Sequence, residues 1–138
     1  MPTAPLKPAL VFAAGLVFAT AGLAAANTAR DAILKTYAHQ AGVTSFSASA
    51  GKALFQDHHS GGKAATPSCT TCHTKNPRVM GQTRAGKPIK PMAVSQNPNR
   101  FTDAAKVEKW FRRNCHTVLG RACTAKEKGE IITYLSSI

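Results

Sequence analysis

Cys69-Thr70-Thr71-Cys72-His73 packs the most chemistry into the fewest residues of this 138-residue chain. Two thiols three residues apart lie about one helical turn from each other, so both can reach the two vinyl groups of one porphyrin. The next residue, His73, then projects an imidazole at the iron as its proximal ligand. C-x-x-C-H is the attachment pattern of covalent c-type haem, and one haem c is the cofactor it implies. Two other readings compete for the same cysteines. A thioredoxin-type dithiol needs a βαβ setting, and half a zinc site needs a second ligand pair at matching spacing. The sequence supplies neither.

The elements that must position this motif read as helices. Asn27 and Thr28 can cap a helix over residues 29–40, with Gly42 as its stop. A second helix begins near Ser47 or Ser49 and ends before Ser60-Gly61-Gly62. From Lys75 to Arg100 the prolines and glycines interrupt any period, and so long a loop in a small domain usually wraps something functional. Thr102 is read as the N-cap of the next helix, with Asp103 in its first turn. Val107, Trp110, Phe111 and Asn114 fall at i, i+3, i+4 and i+7, one face of that helix. Thr124 and Glu127 form a capping box for a last helix running to about residues 134–137. No segment alternates with period two for long enough to make a strand, so the fold class is all-α.

Other marks resemble the class I cytochrome c fold, with helices wrapped around one covalently bound haem. Gly51 and Phe55 precede the haem motif, and Tyr134 lies on the last helix. In that family a glycine of the N-terminal helix permits close crossing of the C-terminal one, as a residue without a side chain can. An electron-carrying member places a methionine on the far side of the iron, usually from the loop between the last two helices. Here that loop is His116–Cys123, and no methionine follows Met92. Met80, seven residues after His73, and Met92 are read as packing residues, Met92 being the better of two poor ligand candidates. By position alone Asn114 is either a helix C-cap or a polar group facing a pocket, since a buried amide without a partner costs ~1–3 kcal/mol.

A narrower resemblance weights these alternatives. Pro67-Ser68-Cys69-Thr70-Thr71-Cys72-His73, Gly81-Gln82-Thr83-Arg84 with Gly86-Lys87, and Arg100-Phe101-Thr102-Asp103 are similar to the sphaeroides haem protein family of oxygen-binding class I cytochromes c. So are Val107-Glu108-Lys109-Trp110, Arg113-Asn114-Cys115, Gly120-Arg121 and Cys123-Thr124. The likeness spans most of the chain after residue 26 and is weakest over residues 27–46. It implies that Asn114 is the distal ligand of the oxidised iron and that Cys115 and Cys123 form a disulfide. Trp110 and Arg84 are expected beside the haem, Arg84 against a propionate. An amide oxygen is a hard, weak donor better matched to ferric than to ferrous iron, so Asn114 is expected to leave on reduction and open the site to dioxygen, nitric oxide or carbon monoxide. The alternative is a plain six-coordinate electron carrier using Met92 or His116. Enzymatic turnover of a gas has little support, because the distal stretch offers no general acid or base beyond Asn114 and its arginines.

Composition bounds the setting. Eighteen Lys and Arg face 6 Asp and Glu, a formal charge of +12. The apolar, uncharged run over residues 9–26 ends in Ala24-Ala25-Ala26, the pattern of a signal-peptidase site. An uncleaved anchor competes with that reading, since ~18 apolar residues lie at the lower limit for spanning a bilayer. Removal of residues 1–26 leaves 112 of the 138 residues, 27–138, as one cytochrome c domain and takes away one basic residue, Lys7, for a charge of +11. The expected location is the periplasm. Lys75, Arg78, Arg84, Lys87 and Lys90 cluster in the loop that should border the haem, and Arg112 and Arg113 beside Asn114. That charge suits docking to an acidic redox partner, and equally a basic surface that serves only solubility. The resemblance implies a dihaem cytochrome c as the donor and a membrane cytochrome upstream. Nucleic acid is excluded as a partner, because no helix-turn-helix, finger or stacking pattern accompanies the charge. His39, His58 and His59 are read as solvent-facing.

Overall fold

A computed structural model describes residues 18–138, with side chains from residue 24 onward. Among the described residues five helices follow one another: α1 (Phe18–Ala41), α2 (Ala48–Gln56), α3 (Thr70–His73), α4 (Ala104–Leu119) and α5 (Ala125–Ser136). The expected apolar leader lies mostly outside the described residues; its end, residues 18–26, forms the start of α1. Asn27 and Thr28 are therefore not caps. The Ala-rich stretch before them carries the helix through despite Gly22, and the Thr28 hydroxyl donates to the Ala24 carbonyl at 2.9 Å. Gly42 ends α1 as expected, at φ 66°. Among the described residues no helix is long and apolar enough to cross a membrane.

Gly51 sets the central packing. A Cβ on it would lie 1.9 Å from the Glu130 carbonyl oxygen of α5, so only glycine lets α2 and α5 cross this closely. Phe55 and Tyr134 then meet beside the crossing, ring centroids 5.9 Å apart. Phe55, Ile132 and Leu135 are fully buried there, with Val107, Phe111 and Cys115 of α4 and Ile33 and Tyr37 of α1 closing the core. Capping fixes where the helices start. Ser47 caps α2, and Thr124 with Glu127 makes the expected capping box of α5. In α4 the cap is Asp103 rather than Thr102: its carboxylate accepts from the Lys106 N–H at 3.0 Å, while the Thr102 hydroxyl turns back to the Asn99 carbonyl.

The segment over residues 75–100 is irregular, as read, with one exception. β1 (Gly81–Gln82) and β2 (Pro88–Ile89) pair antiparallel, Gly81 opposite Ile89. Two-residue strands have no period to detect. The all-α class stands around this small hairpin.

Candidate haem centre

The motif sits on a single helical turn whose backbone is held from outside. Ser68, buried, receives the Thr70 N–H at 3.2 Å and donates to the Phe55 carbonyl at 3.3 Å, tying the start of α3 to the end of α2. The N–H groups of Cys72 and His73 both bond to the Cys69 carbonyl, at 3.3 and 3.1 Å, which leaves the two thiols one turn apart. Gly81 lies against this turn; a Cβ there would come within 2.2 Å of the Cys72 carbonyl oxygen. Thr74 leaves the turn at φ 60°.

These residues fit a covalently held porphyrin. Cys69 and Cys72 are free thiols, both half-buried, and burial pushes the Cys69 thiol up to about 11, so it stays protonated near neutrality. Burial, and then the nearby Arg100 guanidinium, hold the His73 imidazole down at about 4. It is therefore neutral at physiological pH, the form that ligates metals. Its Nδ1 is buried with no hydrogen-bond partner, and the ring packs 6.1 Å from that of Phe55. A half-buried, neutral imidazole with an unpaired buried Nδ1, beside two free thiols, is a donor set with its chemistry unspent.

The expected distal residue rides on α4. Val107, Phe111, Cys115 and Val118 make the buried stripe of that helix, with Trp110 and Asn114, one turn apart, along one edge. Asn114 is half-buried and lies mid-helix. The C-cap is Gly120 at φ 71°, so Asn114 does not end the helix. Trp110 is 48% exposed at that edge, and the Arg113 guanidinium covers its ring at 5.6 Å.

α4 is fastened on both sides of Asn114. Toward its C-terminus, Cys115 is disulfide-bonded to Cys123 with Cα atoms 5.6 Å apart. The Lys63 N–H bonds to the Thr117 carbonyl at 2.8 Å, and Gly61 lies against Gly120 so closely that a Cβ on Gly120 would come within 1.9 Å of the Gly61 oxygen. The loop leading into Cys69 thus pins the helix that carries Asn114. Toward the N-terminus, the Tyr37 hydroxyl donates to Glu108 at 2.5 Å and the Lys128 ammonium reaches the same carboxylate at 2.8 Å, joining α1, α4 and α5. Burial opposes the ionisation of Glu108, but bonds from Lys128 and Tyr37 outweigh it and hold the carboxyl below its usual range.

The rival ligands occupy other settings. His116 and Met80 are exposed, Met80 at 53%. Met92 is half-buried against the core, its N–H bonded to the Pro77 carbonyl at 2.9 Å. Arg84 is exposed in the turn between β1 and β2. The arginine near His73 is Arg100, which sequence reasoning did not single out. It is half-buried, donating to the Pro91 carbonyl at 3.0 Å and the Lys90 carbonyl at 2.5 Å. Arg30, 4% exposed, braces the same loop by donating to the carbonyls of Pro98 and Arg100. One signal was available: Ala26, Arg30, Ile33 and Tyr37 share a helical stripe, so Arg30 stands where a core residue belongs. His39 and His58 are exposed as read, but His59 is half-buried, its ring nitrogen 2.9 Å from the Leu54 carbonyl.

Comparison with known proteins agrees with this construction. Residues 41–135 match a family described as a domain of unknown function, DUF1924, and the chain belongs to it. It is 46% identical over 113 residues to the cytochrome c-type protein SHP of Cereibacter sphaeroides, covering 82% of this chain and 87% of that one. It is 34% identical over 126 residues to cytochrome c'' of Methylophilus methylotrophus, covering 88% of each. The structure of oxidized SHP, an oxygen binding cytochrome c, superimposes with a TM-score of 0.76 at 46% identity, over 79% of this chain and 96% of that one. A solution structure of cytochrome c'', concerned with haem-ligand detachment, does so with a TM-score of 0.62 at 30% identity, over 82% and 93%. Motif, fold and relatives converge: this chain belongs to the sphaeroides haem protein family and is a monohaem class I cytochrome c that binds haem c covalently.

Proposed function

We propose that this protein is an exported, periplasmic cytochrome c that accepts an electron and, once reduced, frees its distal position for a diatomic gas, dioxygen or nitric oxide. When bound, the haem would supply an iron that changes between ferric and ferrous states. Cys69 and Cys72 would anchor it through thioether links, and His73 would be its proximal ligand. Asn114 would offer its amide oxygen from α4, a hard donor better matched to ferric than to ferrous iron. The freed amide then has an N–H to donate to whatever enters. Residues 1–26 are removed on export, leaving Asn27 as the first residue. Electrons arrive from an acidic partner, a dihaem cytochrome c, with a membrane cytochrome upstream.

One observation carries this reading. Asn114 is half-buried on the edge of the apolar stripe of α4, in a helix fastened on both sides, while His116 and Met80 are exposed. The related SHP is an oxygen binding cytochrome c, and cytochrome c'' has a structure concerned with haem-ligand detachment, both consistent with a distal ligand that comes and goes. The half-buried Met92 favours the second reading, a permanently six-coordinate carrier. Spectra of the parent and of Asn114→Ala separate the two. The expected result is an altered ferric spectrum in the variant, with a high-spin ferrous parent that binds carbon monoxide rapidly. Identical ferric spectra, or a low-spin ferrous parent that binds no gas, overturn it.

A further inference from the structure

A groove of about 480 Å³ lies between α2, the segment after His73 and the end of α5, and it holds Lys75 and Arg78, two of the basic residues of the loop after the haem motif. Its cations are Lys52 on α2 and Lys75 and Arg78 just past the haem motif. All three are exposed, and none shares the ion pairs made by the described residues. No lining side chain is acidic, so every charged side chain of the groove is positive. The backbone beneath the charges is already ordered. Gln56 donates to the Lys75 carbonyl at 3.4 Å, Thr74 to the Asn76 carbonyl at 2.7 Å, and the Asn76 side chain accepts from the Arg78 N–H at 3.1 Å.

We infer that this groove is the docking surface for an acidic segment of the protein that reduces this cytochrome. The inference rests on the reading of the chain as an electron acceptor and locates where the donor sits. Unpaired like charges around one concavity repel each other, and an incoming anionic surface relieves that repulsion. Its three cations are spread over α2 and the segment after His73 rather than converging on one point, so the groove suits several carboxylates of a polypeptide. The position is apt for electron transfer: Lys75 is two residues beyond His73 and Arg78 five. A partner seated there lies against the backbone that leaves the proximal ligand. The exposed basic residues of the hairpin, Lys87 and Lys90, carry the same charge but do not line the groove.

The test uses the holoprotein and a fluorescein-labelled hexaglutamate peptide, read by fluorescence anisotropy. Binding is expected in the parent, weakening as salt rises. The double variant Lys52→Glu/Arg78→Glu should weaken binding by about tenfold, and Lys87→Glu/Lys90→Glu, with an equal change in net charge, by about twofold at most. Equal losses in the two double variants overturn the inference, because net charge alone then explains the binding. Inorganic phosphate at millimolar concentration, with ionic strength matched by chloride, should not displace the peptide. Displacement would assign the groove to small anions and also overturn it. If the charge-reversed protein loses its native haem spectrum, Lys52→Gln and Lys75→Gln read the same groove with smaller effects. Carbon monoxide binding by the ferrous protein is measured on every variant and should not change, which keeps a failure here separate from a failure of the Asn114 reading.

Discussion

At the scale of single residues, the two sides of the haem site differ in how local their chemistry is. The proximal side is written in five consecutive residues whose spacing matches one helical turn, so its geometry could be read before any fold was known. The distal side, in the reading proposed above, hangs on the one amide of Asn114, and an asparagine near the end of a periodic run fits a cap as well as a ligand. Only family resemblance tilted that reading, and only the continuation of α4 to Leu119 removes the cap. Arg100 was illegible for a different reason: its acceptors are carbonyls of Lys90 and Pro91, about ten residues away in an irregular loop. Its importance is testable. Arg100→Met leaves those carbonyls without their donor and should cost about 1–3 kcal/mol in thermal unfolding of the holoprotein. It also removes a positive charge close to His73, so the midpoint potential should fall when measured by spectroelectrochemistry. An unchanged potential would show that the charge is not felt at the haem.

At the scale of elements, the question is what keeps α2, α4 and α5 in register around the haem motif. Gly51 is the tightest point, and the sequence disclosed it because a glycine four residues before an aromatic belongs to a recognisable helix crossing. Gly51→Ala places a Cβ 1.9 Å from the Glu130 carbonyl, backbone that cannot yield, and should destabilise by about 3 kcal/mol or more. Gly42→Ala meets nothing within 4 Å and bears only the strain of φ 66°, so a loss of about 1 kcal/mol is expected from the same melting experiment. Similar losses at the two sites would deny the crossing its role. The disulfide closes an eight-residue separation, and replacing Cys115 and Cys123 together by serine should cost roughly 2–3 kcal/mol. The start of α5 adds a pH-dependent contribution. Bonds from Arg121 pull the Glu127 carboxyl from 4.5 down to about 2. A carboxylate depressed in the folded state stabilises above its unfolded value, so this contribution is complete above about pH 4.5 and disappears as pH falls through 2. Arg121 is 54% exposed, and after discounting for solvent screening the effect is on the order of 1 kcal/mol. Melts between pH 5 and pH 2 should show a smaller decline for Glu127→Gln than for the parent. The elements missed in the sequence, the two-residue strands and the unbroken run of α1 through Asn27, are those where hydrogen bonding to a neighbouring segment or simple helix propagation outweighs local pattern.

At the scale of the whole molecule, the distribution of charge matters more than its sum. Four of the six carboxylates, Asp103, Glu108, Glu127 and Glu130, are paired with Lys106, Lys128, Arg121 and Lys126, and all four pairs belong to α4, α5, their caps or the short loop that joins them. From His58 to Thr102 the chain contains no acidic residue, yet it contains Lys63, Lys75, Arg78, Arg84, Lys87, Lys90 and Arg100. The segment that holds the haem motif and its following loop is therefore positive and unneutralised, while the helices behind it are internally balanced. Such a field acts on anything that approaches, whatever the detailed contacts made after encounter. Reduction of the ferric protein by an anionic iron chelate should be fast at low ionic strength. It should slow severalfold as the Debye length shrinks from about 30 Å at 0.01 M to about 10 Å at 0.1 M salt. A cationic ruthenium ammine should show the opposite trend, speeding up as salt screens its repulsion. Stopped-flow rates with the two reagents, on the same protein and over the same salt range, decide the matter. Parallel slopes would mean that the electron enters where the propionates or the paired helices govern the potential, and the positive loop is then a bystander. Opposite slopes, steeper than the net charge of the whole protein gives, place electron entry on the cationic side, because small reagents carry no docking surface of their own and sense the field around the point where the electron enters.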